Sequence, residues 1–412
     1  MADLQRYLTE NGVQIRYNLV TRKREILVDD IVDADDDQAS GRQVASTLDW
    51  KELDSQHVNS IYCRFCLATG LTTHPNELYT IIESDFYPQY HPLRDYLDRL
   101  PAWDGTTDPI DRLASTVHVG GCEQELHNRY FKKWFVGMVA AWCDDAVVNH
   151  EILTYIGAQG KYKTTFMTHL LPPSLAEYFA MKTFRGKADK DDRLSLTELA
   201  LVDLDDMDSL NPVEVSQLNA LVTDPAVNLR PVYARYAVRR HHIASFCATG
   251  NNPRFLTDLT GNRRWLPFRI VSIDSPYEHP FDYESIYAQA YALYRSGFAY
   301  WLNDEENTEI AQHNRQFEEL TAEEELIHTY LRVPGESETG EFVTTTRIIE
   351  LIGHSIRTPL DKRKVGRAMG RLGFEQRHTR KANGWNVVFL TGDEIKQQQR
   401  LDALRSSTSP QV

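Results

Sequence analysis

Lys163 and Thr164 stand directly behind a short turn containing Gly157 and Gly160, and the apolar run Ile152 to Ile156 precedes that turn. A strand, a glycine-bearing turn and a Lys-Thr pair opening a helix can cradle a chain of phosphates. The ammonium meets the β- and γ-phosphates and the hydroxyl meets Mg²⁺, while backbone N–H groups and the helix N-terminus take up the remaining negative charge. The residues that would contribute are Gly157, Gln159, Gly160, Lys161, Tyr162, Lys163, Thr164 and Thr165. One of them departs from G-x-x-x-x-G-K-[ST]: Tyr162 holds the second glycine position, where a compact residue is expected.

Such a cradle needs a carboxylate at the end of a neighbouring strand, to serve the metal and to orient the attacking water. Leu199-Ala-Leu-Val-Asp203-Leu-Asp205-Asp206 supplies candidates, with Asp203 read as the metal-side acid, Asp206 as the water-polarising acid and Asp205 as the alternate. A third apolar run, Ile243 to Thr249, ends at Asn251, either an amide that orients water or a turn-forming asparagine. Arg263 and Arg264 form a guanidinium pair that could neutralise charge on a phosphoryl oxygen, in the same or a neighbouring subunit, or could be a surface ion-pair cluster. Between residues 228 and 242 the cations Arg230, Arg235, Arg239 and Arg240 interleave with Tyr233 and other aromatics, as in segments that track single-stranded nucleic acid. The competing explanation is an edge hairpin that packs its tyrosines. His241 and His242 have no metal-spaced companions and read as structural or phosphate-facing.

A chain of 412 residues needs more than one domain to position these groups. Its net charge of −14 confines any DNA contact to a local basic patch or channel. Five cysteines make no disulfide framework, and without a signal-like N-terminus a reducing cytoplasm is expected. Cys63 and Cys66 have no second pair at zinc spacing, so buried thiols on a helix are expected there. The longest apolar run, Phe135 to Cys143, is far short of the roughly 20 residues of a membrane span.

The spacing predicts an N-terminal module over residues 1–88, with a hairpin from Val13 to Val28, an acidic loop, and helices at Ser55 to Thr69 and Pro75 to Ser84. Residues 89–310 read as a helical collar from His91 to Asn149, followed by a parallel sheet covered by helices. Residues 311–400 read as a linker helix and a winged-helix-like unit, with helices at Thr344 to Ile352 and Asp361 to Leu372 and a two-stranded wing from Phe374 to Leu390. Residues 401–412 read as a disordered polar tail. Between residues 357 and 381 the cations Arg357, Lys362, Arg363, Lys364, Arg367, Arg371, Arg377, Arg380 and Lys381 stand against only Asp361 and Glu375, a segregation expected of a phosphate-backbone contact, although a solvated basic face would look the same.

Taken in order, these motifs resemble the virulence-associated protein E family, whose ATPase domain is similar to superfamily 3 helicases of the AAA+ class. The resemblance covers roughly residues 85 to 300 and rests on Trp103-Asp-Gly105, Gly157-Ala-Gln-Gly160 with Lys163-Thr-Thr165, Asp203-Leu-Asp-Asp206, Arg230-Pro-Val-Tyr233, Thr249-Gly-Asn251 and Thr260-Gly-Asn-Arg-Arg264. It implies an α/β, AAA+-like P-loop NTPase core with a helical collar. The implied activity is ATP hydrolysis with Mg²⁺ coupled to DNA during replication of phages, plasmids or integrated elements, in a ring that is expected to be a hexamer. On that model Lys163 and Thr164 bind ATP and Mg²⁺, Asp203 and Asp206 serve metal and water, and Asn251 senses the γ-phosphate. Arg263 or Arg264 reaches across a subunit boundary, and Arg230, Tyr233 and Arg235 face single-stranded DNA in the pore. Arg363 and Arg367 would meet duplex DNA, and priming would fall to a separate primase or host replication factor. Aspartates stand where the family has glutamates, so slow turnover is expected. The alternative is an ATP-dependent DNA-binding switch or origin-recognition scaffold without processive movement.

Overall fold

The computed structural model describes residues 1–30, 47–183, 189–205, 207, 211–229, 237–256, 262–335, 338–353, 360–378 and 382–396. Of the acidic segment Asp29 to Asp37, read as a loop, the first two residues end a strand and the rest lie outside the described residues, as does the tail 401–412.

The first unit contains α1 (Ala2–Glu10), β1 (Ile15–Asn18), β2 (Arg24–Asp30), β3 (Thr47–Glu52), α2 (Ser55–Thr69), α3 (Pro75–Glu83) and β4 (Gln89–Tyr90), with strand order β3-β2-β1-β4. Local chemistry sets the helix ends. Asp54 and His57 close a capping box at the start of α2, Gly70 ends it at φ +67°, and α3 begins with Pro75 behind a His74 cap. Val58, Ile61 and Phe65 occupy the buried stripe of α2. Cys63 falls off that stripe and is exposed, and Cys66 is only partly covered, which corrects the expectation of buried thiols. Asn18 joins this unit to the next by donating to the Tyr178 hydroxyl at 2.8 Å, and Val20 is buried in the central core.

The central unit runs α4 (Pro92–Asp98), α5 (Pro109–Ser115), β5 (Val117–Gly120), α6 (Gln124–Cys143), β6 (Ile152–Ile156), α7 (Lys163–Thr168), β7 (Phe179–Lys182), α8 (Lys190–Glu198), β8 (Leu201–Leu204), α9 (Pro212–Val222), β9 (Ala226–Leu229), β10 (Val238–His241), β11 (Ser245–Gly250), β12 (Trp265–Ile273), α10 (Tyr283–Arg295) and α11 (Asp304–Asn314). Among the described residues β5-β12-β6-β11-β8-β7 form one sheet, parallel except for the edge strand β5. Strand β6 is buried throughout and pairs with β11 through Ile152↔Phe246 and with β12 through Ile152↔Trp265. Leu153, Tyr155, Leu201, Cys247 and Phe268 face a core built with Trp134, Phe135, Phe166 and Tyr287. Ile152, Ile156, Val202, Leu204 and Phe246 face a second core with Val215, Leu218 and Phe317. Helices thus cover both faces, as parallel sheets require. Strand β5 interrupts the stretch read as wholly helical, and β7 and β12 add strands the periodicity did not disclose.

His127 and His242 are buried in this unit and their ring pKa values are pushed down to about 4, chiefly by burial. His127 Nε2 lies 2.9 Å from the Tyr155 hydroxyl, and His242 Nδ1 lies 2.8 Å from the Asp224 carbonyl. An unfolded histidine takes up a proton near pH 6.5 and these two do so only near 4, so the unfolded chain binds more protons in that window and stability falls as pH drops through it. Each contributes a loss on the order of 3 kcal/mol by the bottom of the window. Urea unfolding between pH 7 and 4 should show this slope, and His127→Gln with His242→Gln should flatten it; an unchanged slope would exclude these two histidines.

The third unit contains α12 (Ala322–Tyr330), β13 (Leu331–Arg332), β14 (Glu341–Val343), α13 (Thr345–Ile352), α14 (Lys362–Arg371), β15 (Gln376–His378) and β16 (Asn383–Phe389). Strand β16 pairs with β13, β14 and β15. Thr344 caps α13 and Asp361 caps α14. Ile348, Val365, Met369, Trp385 and Val387 build the core. A Cβ at Gly384 would come within 2.7 Å of the Phe342 ring and of the Val343 carbonyl, so the close approach of β14 requires glycine there.

Candidate nucleotide site

The chain leaves β6 at Ile156 and turns across the carboxyl ends of the sheet. Gly157 N–H donates to the Gly250 carbonyl at 3.1 Å, and a Cβ at Gly157 would lie 2.8 Å from the Ile270 carbonyl, so only glycine fits. Gly160 takes φ +75°, and Tyr162 takes φ +58°, ψ 18°. Tyr162 therefore supplies the left-handed backbone that glycine normally provides, at a cost of about 1–2 kcal/mol for a residue with a Cβ. Tyr162 is 43% exposed, so it does not fill the turn.

Helix α7 follows at once and anchors itself by burying Phe166 and Met167. Lys163 folds back over the loop. Its Nζ donates to the Gly157 carbonyl at 2.6 Å, the Ala158 carbonyl at 2.8 Å and Asn251 Oδ1 at 3.3 Å. The Thr164 hydroxyl lies 3.3 Å from that of Thr249. Together these residues border a cavity of about 890 Å³, with Gln159, Gly160, Lys161, Tyr162 and Thr165 on the loop side and Thr183, Asp205, Thr249 and Asn251 opposite. Thr183 was not singled out from sequence, and Thr249 entered only as the end of an apolar run and as part of Thr249-Gly-Asn251.

Asp203 does not line this cavity. It is fully buried, neither carboxylate oxygen has a hydrogen-bond partner among the described residues, and burial followed by the nearby Asp205 pushes its pKa up to about 7. Asp205 is the acid on the cavity wall, which corrects the choice of Asp203 for the metal side. The reason is the two-residue period of a strand: 203 and 205 share a face, but 205 lies beyond the last paired residue, about 7 Å further toward the loop. The acidic strand is also not adjacent to β6, because β11 lies between them. Asp206 lies outside the described residues.

The structure does not bring Arg263 and Arg264 to this cavity. They occupy the 3-10 turn Asn262–Arg264, and the next residue, Trp265, pairs with Ile152 at the start of β6. The loop departs from the other end of that strand, five residues or about 16 Å away. Burial, and after it the charges of Arg264 and Arg263, lower the pKa of His150, which places the pair beside the entrance to β6.

Arg239 and Arg240 lie on β10, which forms an antiparallel hairpin with β9. Arg239 is exposed, whereas Arg240 is 9% exposed and ion-paired with Glu198 at 2.5 Å. Arg240 therefore anchors the base of the hairpin, which corrects its reading as a nucleic-acid contact. His242, buried against Asp224, is structural. Arg230, Tyr233 and Arg235 lie outside the described residues. On α14, Arg363 and Arg367 are exposed one turn apart, opposite the buried Val365 and Met369.

The fold and site define a mixed α/β protein with a parallel sheet, whose carboxyl edge carries a glycine-bearing loop, a buried lysine and an opposing carboxylate around one cavity. The chain belongs to the virulence-associated protein E-like domain family, whose model matches residues 97–319. The apo structure of the NrS-1 C-terminal region is similar at 11% identity over 94% of this chain and 98% of that one, with a TM-score of 0.45. The A form apo structure of that region gives 10% identity, 94% and 99% coverage and a TM-score of 0.46. Among curated proteins no match is found.

Proposed function

We propose that this chain is an ATP-hydrolysing DNA translocase or helicase that serves replication of a mobile genetic element. The observation that carries this reading is the convergence of Lys163, Thr164, Asp205 and Asn251, from three different strand ends, on one cavity. Residues that meet only in the fold and combine a cation, a hydroxyl, a carboxylate and an amide suit a triphosphate with its metal better than a small neutral ligand. The loop fits the phosphates, because Gly157 leaves no room for a Cβ and the left-handed residues 160 and 162 turn the backbone. Thr164 and Asp205 are the residues that would hold Mg²⁺, which when bound neutralises charge on the phosphate oxygens. Asn251 orients water, and Asp206 is the candidate to polarise it. Arg263 and Arg264, at the opposite end of the strands from the loop, act in a neighbouring subunit of a ring, with a hexamer favoured.

The third unit is read as winged-helix-like, with α14 presenting Arg363 and Arg367 to duplex DNA, while Arg230, Tyr233, Arg235 and Arg239 face a single strand. Priming and loading are left to a separate primase or host factor. Among the described residues no helix is long and apolar enough to cross a membrane. The exposed basic face of α14 also favours a second reading, an ATP-dependent switch or origin-recognition scaffold that binds DNA without processive movement.

Phosphate release measured with and without single-stranded DNA tests the first reading, and stimulation by DNA is the expected result. Hydrolysis indifferent to every DNA tested would exclude a motor. Arg363→Glu with Arg367→Glu should weaken duplex binding at least about 100-fold while leaving ATP affinity unchanged. Undiminished duplex binding would remove α14 from the interface.

A further inference from the structure

Glu318 follows the 3-10 turn Arg315–Phe317 behind α11 and runs beside Leu256 in a parallel bridge. Leu256 N–H donates to the Phe317 carbonyl at 3.0 Å and Glu319 N–H to the Leu256 carbonyl at 2.9 Å, so the backbone here is fixed. The Glu318 side chain, 15% exposed, accepts from two donors: Asn262 Nδ2 at 3.0 Å on Oε1 and Arg371 Nη2 at 2.5 Å on Oε2. Asn262 is 6% exposed and is the residue immediately before Arg263 and Arg264. Its carbonyl accepts from Asn314 Nδ2 at 2.8 Å, and the same amide donates to the Trp265 carbonyl at 3.0 Å. Arg371 ends α14, and its second amino group pairs with the buried Glu324 at 3.0 Å.

The turn bearing the two arginines is therefore gripped from both sides, by Asn314 from α11 and by Glu318 through Asn262. We propose that Glu318 is a positioning residue that holds this turn so that Arg263 and Arg264 can reach the phosphates of a neighbouring subunit, with Arg371 as the counterion that fixes its carboxylate. The inference rests on the reading of those arginines as acting in trans. A charge-assisted, largely buried carboxylate with two fixed donors is a stiffer support than an exposed pair. A displacement of about 1 Å in a group that must meet a reacting phosphate is enough to lower turnover by as much as 100-fold. Glu318→Gln keeps the side-chain volume and an acceptor for Asn262 but turns an amide toward Arg371, whereas Glu318→Ala removes both contacts.

Mixed assemblies of the full chain provide the test. A Lys163→Ala chain contributes its arginines but no working cavity, and an Arg263→Ala/Arg264→Ala chain contributes a cavity but no arginines. Mixing the two should restore ATP hydrolysis that neither shows alone. Adding Glu318→Ala or Glu318→Gln to the Lys163→Ala chain should reduce that restoration roughly ten-fold, with the molar mass of the assembly and the affinity for a fluorescent ATP analogue unchanged. Full restoration by both Glu318 variants would overturn the positioning role. Failure of the first mixture, with wild-type hydrolysis intact, would overturn it also, by removing the arginines from action in trans. Absence of hydrolysis in the wild-type chain would instead reject the ATPase reading on which the inference stands.

Discussion

Lys163→Ala is expected to abolish ATP hydrolysis, with a fall in kcat of at least about 100-fold, the scale seen when one charge-stabilising donor is removed from a preorganised site. In the structure its ammonium already spans the loop, donating to the carbonyls of residues 157 and 158 and to Asn251, and it is only 8% exposed. These acceptors satisfy the ammonium's charge, and on the proposed reading the same short reach would bring it to the phosphates. Alanine would also leave the two carbonyls without this donor, at a stability cost of about 1–3 kcal/mol. Thermal melting beside phosphate-release assays separates the two effects. A folded Lys163→Ala protein that hydrolyses ATP at the wild-type rate would show that the cavity is not the catalytic site.

The second large effect distinguishes two acids two residues apart, one within β8 and one just beyond its end. Asp205→Asn should reduce hydrolysis by about 100-fold or more, because it removes the carboxylate on the cavity wall and with it the proposed ligand for the metal. Asp203→Asn should keep turnover within about three-fold of wild type, since that side chain is fully buried and does not line the cavity. Titrating Mg²⁺ sharpens the contrast: the Asp205 variant should need much more metal for its residual activity, and the Asp203 variant should follow the wild-type curve. The reverse ranking would return the metal role to Asp203.

This pair also shows where the sequence was legible. The apolar run 152–156, the glycines and the Lys-Thr pair marked the strand, turn and helix start, because a buried parallel strand and a glycine-bearing turn each have a distinctive composition. Helix boundaries in the outer units could be read where a cap was present, as at Asp54, Gly70, Thr344 and Asp361. The depth of a carboxylate along β8 could not be read, because the acids at 203 and 205 share a face and only the end of the pairing with β11 separates them. Strand β12 was hidden by Pro267, which argues against a central strand yet sits here opposite Thr154. Strand β5 is four residues between two helices, too short for its period to declare itself. Arg240 looked like its exposed neighbour Arg239, and only the tertiary approach of Glu198 sets them apart.

At position 162 the requirement is a torsion angle and not the absence of a side chain. A tyrosine that accepts the left-handed torsion and swings its ring outward satisfies the loop as glycine would. A search that demands glycine by letter therefore passes over chains of this kind, whereas one that tests backbone conformation retains them.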